Sequence, residues 1–129
     1  DRRYTFDYLR QETTIVDVVR ARSEGYTKPT VSMLFEHYYH RRPLSAEQCW
    51  NGDYTDIVTQ PGMAIDEALA HAFRAAKSYT STHCHVFTSA SFLELLPEMR
   101  DLGYAPFDLV EFHDVEPGAN EFHIVLRKL

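Results

Sequence analysis

Apolar residues in the last third of the chain recur first with a helical period and then with an alternating one. A strand-length run of apolar and polar residues at 83–87 is followed by Thr88, whose side-chain oxygen can cap a helix that begins at Ser89. Pro97 predicts a kink or a break near 94–96, and Gly103 is suited to end the helix. Apolar side chains spaced by three and four residues predict one core-facing side, formed by Phe92, Leu95, Leu96, Met99 and Leu102.

Beyond Gly103 the apolar positions follow the two-residue period of a strand. Residues 107–115 and 120–128 predict two antiparallel strands, and Pro117 and Gly118 supply the turn between them. Alternation in the second strand places three apolar side chains on one face, those of Phe122, Ile124 and Leu126. Residues 82–129 therefore predict a strand, a helix and a closing β-hairpin.

Helix caps divide the first half of the chain. Thr14, with Asp17 three residues later, forms a capping-box pattern for a helix that runs to Ser23. Thr30 precedes a second amphipathic run that ends before Pro43. A third, short helix is predicted from Ser45 through Trp50, with Gln48 or Glu47 as the residue that bonds back to the cap.

Three further segments complete the pattern. Alternating aromatics at 4–9 favour an extended segment with one buried face, and the polar, turn-rich residues 51–62 predict a mobile loop. Residues 63–78 carry the strongest helical signal of this half, because alanines raise the helix propensity. Its predicted core face consists of Ile65, Leu69, Ala72, Phe73 and Ala76.

Together these elements predict an α+β fold in a single domain of 129 residues, in which helices pack on a small sheet that includes the hairpin. Residues 1–81 form its mainly helical part, and residues 82–129 its strand–helix–hairpin part. No apolar run approaches the roughly 20 residues of a membrane span, and no signal peptide is visible. Cys49 and Cys84 lack a paired spacing, so we expect reduced thiols and a cytoplasmic protein.

Charge argues against nucleic acid as a partner. The net charge of −6 is uneven: residues 1–50 carry eight Lys or Arg and seven acids, whereas residues 51–129 carry five and twelve. An acidic balance repels a phosphate backbone. The arginine pairs at 2–3 and 41–42 are too short for a basic stripe.

The order HVFTSASFLELLPEMRDLGY, FDLVEF and NEFHIVLRKL resembles the closing segment of class I S-adenosylmethionine-dependent methyltransferases, a last helix followed by an antiparallel hairpin. The opening DRRYTFDYLR resembles the run that follows the fifth strand in a bacterial group of these proteins associated with polysaccharide biosynthesis. The resemblance spans nearly the whole chain but only the carboxyl-terminal part of the family. It implies that residues 1–81 include a helical lid over the active site.

The resemblance also implies that the cofactor and the substrate are bound by different parts of the protein. The glycine-rich loop that binds S-adenosylmethionine in the family has no counterpart among five scattered glycines, so we expect that cofactor in the full-length protein and not on this chain alone. The chain would form the substrate side of a methyltransferase and act on a sugar or another small acceptor, once completed by the missing half. Family placement at the mouth of the site implies substrate contacts by Arg2, Arg3 and Tyr4; packing of these aromatics is the alternative.

Histidines are the candidates for acid–base chemistry. His37, with Glu36 or Asp7, could deprotonate a sugar hydroxyl, and Tyr38 on the same predicted helix could contact the substrate. The alternative is that the EHYYH helix packs a tyrosine inward and leaves its histidines in water. Four histidines have spacings that would suit a metal, namely His37, His40, His83 and His85, but we expect none because no further ligand motif accompanies them.

Two other readings remain open. The helices could present Tyr38, Tyr39 and Trp50 to a carbohydrate or protein partner as a non-catalytic binding or dimerisation module, or the histidines could serve a small metal-dependent enzyme. In the methyltransferase reading, the strand at 120–128 lacks one neighbour. Either the extended segment 4–9 covers that edge, which we favour, or a second copy of the hairpin does so in a homodimer.

Overall fold

The computed structural model describes residues 1–129, and it has the predicted α+β composition. A 3₁₀ turn at Arg2–Tyr4 precedes six α-helices and one antiparallel hairpin. The elements are α1 (Ile15–Ser23), α2 (Val31–His40), α3 (Ala46–Asn51), α4 (Thr55–Thr59), α5 (Ile65–Ala75), α6 (Ser89–Asp101), β1 (Phe107–His113) and β2 (His123–Lys128). None of these helices combines the length and the apolar character that crossing a membrane requires.

Four predicted helix starts are confirmed, and each of the four has a local side-chain bond. Asp17 accepts from the backbone N–H of Thr14 at 2.9 Å at the start of α1, and the side chain of Thr30 accepts from Met33 in α2. Ser45 opens α3 with a complete capping box, as predicted from the sequence. Thr88 begins α6 in the same way, since its side chain accepts from the N–H of Ser91.

Helix α6 is continuous through Pro97, so there is no break near 94–96, and the kink that was the alternative stays a prediction. Pro97 removes one backbone donor on the exposed side of the helix, while Leu95 and Leu96 beside it are 3% and 5% exposed. Burial of these two leucines on the inner side stabilises the turn that contains the proline. Gly103 follows in the left-handed conformation, as predicted.

Helix α5 packs on α2 through a different face from the predicted one. Ala68 and Ala72 are fully buried against α2, where Leu34 is 1% exposed. Small side chains let two helices approach closely, so the alanines rather than the large residues face the partner. Ala72 was predicted correctly, but three large members of the predicted core face are exposed: Ile65, Leu69 and Phe73. We call these three the α5 stripe.

The hairpin is confirmed, with strands shorter than predicted. β1 pairs with β2 from Phe107 opposite Lys128 to His113 opposite His123, and a bulge at Val110 shifts the register. Phe122, just before β2, lies 5.6 Å from the ring of Phe92 in α6, which fixes the hairpin against that helix. Alternating burial continues along β2, where Ile124 and Leu126 are half-buried.

Two predicted strands are absent. Residues 83–87 form no ladder, because the chain bends at Cys84 and only Val86 bonds to Thr13. The N–H of Thr13 donates to the carbonyl of Val86, while the N–H of Val86 donates to the side chain of Thr13. Residues 4–9 form turns, and their aromatics separate towards three different partners. Tyr4 stacks on Trp50, Phe6 on His83, and Tyr8 lies against Tyr54. The sheet therefore has two strands, and segment 4–9 does not pair with its edge.

The predicted loop at 51–62 is partly helical. Gly52 ends α3 with a φ of 78°, and α4 (Thr55–Thr59) follows directly. Gly62 lies against α2, where a Cβ would stand 2.8 Å from the carbonyl oxygen of Tyr39. This close approach anchors the end of the segment before α5 begins.

Candidate functional site

The site begins with a buried ion pair in the first ten residues. Asp7 and Arg10 are each only 1% exposed, and Arg10 Nη1 donates to Asp7 Oδ1 at 3.0 Å. The turn between them is fixed by backbone bonds, because the N–H of Arg10 donates to the carbonyl of Asp7. The side chain of Thr5 in turn accepts from the N–H of Asp7 at 3.1 Å. A charge without water needs such paired and oriented neighbours.

Arg10 joins this pair to two distant parts of the chain. Its Nη1 also donates to the carbonyl oxygen of His83 at 2.8 Å, and its Nη2 lies 3.3 Å from Glu36 Oε2 on α2. The other oxygen of Glu36 accepts from the backbone N–H of Gln11. We refer to Asp7, Arg10, Glu36 and His83 as the ionic cluster. It holds the amino-terminal segment, α2 and residue 83 in one arrangement.

His83 is the exposed member of the ionic cluster. Its Nδ1 lies 2.5 Å from Asp7 Oδ2, while its side chain is 56% exposed and Asp7 is 2% exposed. Phe6 stacks on the imidazole at 5.1 Å. A carboxylate on Nδ1 makes that nitrogen the donor, so the lone pair of Nε2 is directed away from the carboxylate. A buried acid that orients a histidine in this way is the arrangement of a general base.

A cleft of about 150 Å³ lies beside this histidine. Asp7 and His83 form part of its wall, together with the hydrophobic side chains of Val86, Phe87 and Phe122. The volume suits a small group, such as one hydroxyl-bearing end of a larger molecule. We call Asp7 and His83 the dyad, and this space the dyad cleft.

The predicted catalytic residues on α2 occupy other positions. Glu36 contacts Arg10 and Gln11, and it makes no hydrogen bond to His37. The His37 ring packs edge-on against Phe6, and its Nδ1 is buried without a partner. Burial lowers the pKa of His37, and the nearby Asp7 only partly offsets that effect. His37 and His83 therefore both contact Phe6, and His37 has no bond to a carboxylate.

The predicted substrate residues are engaged within the chain. The guanidinium of Arg2 contacts Glu12 at 2.9 Å and donates to the carbonyl of Tyr8, although Arg2 also borders the dyad cleft. Arg3 pairs with the carboxylate of Asp1 at 2.8 Å. Tyr4 lies flat on the indole of Trp50, with ring centroids 4.4 Å apart.

Aromatic residues proposed for a binding module are likewise packed internally. Tyr38 lies between the rings of His37 and His71, and Tyr39 stacks on Phe35. The indole N–H of Trp50 donates to the carbonyl of Ala119 at 2.8 Å. These contacts leave no row of free aromatic faces.

The four histidines considered for a metal are not assembled into one site. His83 and His85 both border the dyad cleft, whereas His37 packs on Phe6 and His40 on Tyr39. No group of three or more His, Cys, Asp or Glu side chains has a geometry that could hold a metal ion. Neither cysteine forms a disulfide, and burial raises the pKa of each thiol.

The fold lacks the elements on which class I methyltransferases hold S-adenosylmethionine. A cofactor cradle of the class I type needs parallel strands with a glycine turn at the end of one of them. Here the only sheet is the antiparallel hairpin. The glycines with positive φ lie at helix ends and in the hairpin turn, at Gly25, Gly52, Gly103 and Gly118.

Sequence reasoning missed the pairing of Asp7 with His83. Asp7 had been considered only as a partner of His37. The available signal was Asp7 and Arg10 three residues apart inside an aromatic run, a position where charged residues are seldom found unpaired.

Comparisons of this chain with protein-family models, with curated proteins and with solved structures find no significant match.

Proposed function

We propose that this chain is the acceptor-binding part of a methyltransferase-like enzyme and that His83 is its general base. The observation that carries the proposal is the bond from a half-exposed imidazole to the buried carboxylate of Asp7. Nε2 of His83 takes the proton from a hydroxyl of a sugar or another small polar acceptor in the dyad cleft. The imidazole becomes an imidazolium, whose charge Asp7 stabilises.

The surroundings of the imidazole support this role. Phe6 stacks on one side of the ring, and the ionic cluster fixes the backbone at residue 83 through Arg10. A base held in this way keeps its reacting atom in place before the acceptor arrives, which lowers the entropic part of the barrier. The transferred group and its cofactor belong to the remainder of the full-length protein.

The test is methyl transfer by the full-length protein to a panel of small hydroxylated acceptors. We expect His83→Ala to lower kcat by about 100-fold to 10,000-fold, the usual contribution of a general base. Asp7→Asn should lower it less. His113→Ala is the matched control, since that histidine is exposed on the hairpin. Unchanged kcat in His83→Ala, or a larger loss in His37→Gln, would sink the proposal.

Association of two copies through the edge of β2 is a second role that one observation favours. The bulge at Val110 makes β1 irregular, whereas β2 is regular and has Val125 48% exposed. Bulges discourage pairing, and a regular edge can pair with its own copy about a two-fold axis. The accessible surface of 8170 Å² also exceeds the roughly 7,000 Å² expected for a folded monomer of this mass.

Light scattering tests this association. The chain should have twice its 15.0 kDa mass, and Val125→Lys should restore the single mass. Val110→Lys, at the bulge, is the control that should remain dimeric. A wild-type mass of one chain at the highest soluble concentration would exclude the edge as an interface.

The free thiols of Cys49 and Cys84 support the cytoplasm as the compartment.

A further inference from the structure

A larger cavity lies between α1 and α2, beyond the segment that carries His83. Its volume is about 330 Å³, within the usual range for small-ligand sites. Gln11, Thr13, Tyr26 and Ser32 contribute polar groups to its wall. His85 borders both this cavity and the dyad cleft, so the two spaces flank the same backbone segment. We call the larger space the α1–α2 cavity.

The charges around the α1–α2 cavity are already neutralised in pairs. Each of its three carboxylates contacts an arginine of the same chain: Glu12 with Arg2, Asp17 with Arg20, and Glu36 with Arg10. A charged ligand would therefore enter without a free counter-ion and would lose its hydration shell. The wall favours a neutral molecule that both donates and accepts hydrogen bonds.

Several donors in the wall have no acceptor within the chain. The backbone N–H groups of Cys84 and His85 make no hydrogen bond, although the N–H of the next residue, Val86, donates to Thr13. Arg10, which is 1% exposed and lines the cavity, has an unpartnered Nε. A donor without a partner in the chain is available to water or to a ligand.

We infer that the α1–α2 cavity binds a neutral polyhydroxylated molecule the size of a monosaccharide. Its hydroxyl oxygens accept from the N–H groups of Cys84 and His85, and its hydroxyl hydrogens donate to the remaining lone pairs of Glu36 and Asp17. The ring of Tyr26, half-buried at the wall, offers an apolar surface to the C–H groups of such a ring. This assignment stands without the proton transfer proposed for His83.

Isothermal titration of the chain with glucose, galactose, mannose and N-acetylglucosamine tests the inference, with glucose 6-phosphate and inorganic phosphate as charged probes. At least one neutral sugar should bind saturably with a Kd of about 1 mM or tighter, and both phosphates should bind at least tenfold more weakly. Absence of saturable binding by all four sugars would overturn the inference. So would a preference for phosphate.

Two serine variants locate the binding. Ser32 is exposed on α2 and borders the cavity, so Ser32→Phe fills the space without disturbing the core. It should abolish sugar binding, while Ser78→Phe, outside the cavity, should leave it unchanged. His83→Ala should also retain binding, which separates failure of this inference from failure of the proton-transfer proposal. Full affinity in Ser32→Phe would place the sugar elsewhere and refute the assignment.

Discussion

The ionic cluster and the α5 stripe invert the usual distribution of polar and apolar side chains. Asp7 and Arg10 are among the most buried residues of the chain, whereas Ile65 and Phe73 are 63% and 58% exposed. Charges are costly to bury, so the cluster persists only because each member has a partner. Exposed large apolar residues cost little individually. The comparison teaches that the tertiary arrangement here is fixed by polar pairing near α2 and by alanine packing on α5.

Removing one member of the ionic cluster should have the largest effect. Asp7→Ala leaves Arg10 buried with only Glu36 as a charged partner, and we expect a loss of about 3–5 kcal/mol in the free energy of unfolding. Urea denaturation measures it. Glu98→Ala, an exposed acid on α6, should change the free energy by less than about 0.5 kcal/mol. A loss below about 1 kcal/mol for Asp7→Ala would mean that the pair does not organise the fold.

Enlarging the alanine face of α5 comes next. Ala72 is fully buried against α2, and Ala72→Leu should destabilise the chain by about 1–3 kcal/mol because the helices cannot separate without losing contacts. Thermal unfolding of this variant can be compared with that of Ala70→Leu, which places the same side chain on the exposed face of the same helix. Equal stabilities for the two variants would contradict the packing described for α5.

Acidification should act through the histidines of α2. Burial lowers the pKa of both His37 and His40 in the folded state, so the unfolded chain binds more protons below about pH 6.5. Stability is therefore complete above that pH and decreases as the pH falls towards the lowered values. Urea midpoints at several pH values should show a shallower decrease in a His37→Gln, His40→Gln double variant. An identical slope in the two proteins would exclude these histidines as its source.

Changing the α5 stripe should have the smallest effect. Phe73→Ser exchanges an exposed ring for a residue of similar helix propensity, and we expect a change within about 0.5 kcal/mol in the free energy of unfolding. Chemical denaturation of the wild type and the variant measures the difference. A decrease in the free energy of unfolding near that of Ala72→Leu would show that Phe73 contributes to packing. The contrast between an exposed α5 stripe and a buried ionic cluster would then be wrong.

Local features were predictable from the sequence, and the site was not. Thr30, Ser45 and Thr88 start helices through bonds to residues three positions away, so a short window contains the whole cause. The bond between Asp7 and His83 joins residues 76 positions apart, and no local period encodes it. The face of α5 was misassigned for the same reason, because an apolar period does not say which neighbour a helix will meet.

The backbone at 83–86 also sets a pattern of amide hydrogen exchange. The amide of Val86 is protected by Thr13, whereas those of Cys84 and His85 have no acceptor and should exchange at nearly the rate of an unfolded peptide. Adjacent amides in one segment should therefore exchange at very different rates. The two fast amides serve as built-in reporters, because any molecule that bonds to this backbone slows them without altering the protection of α2 or α5.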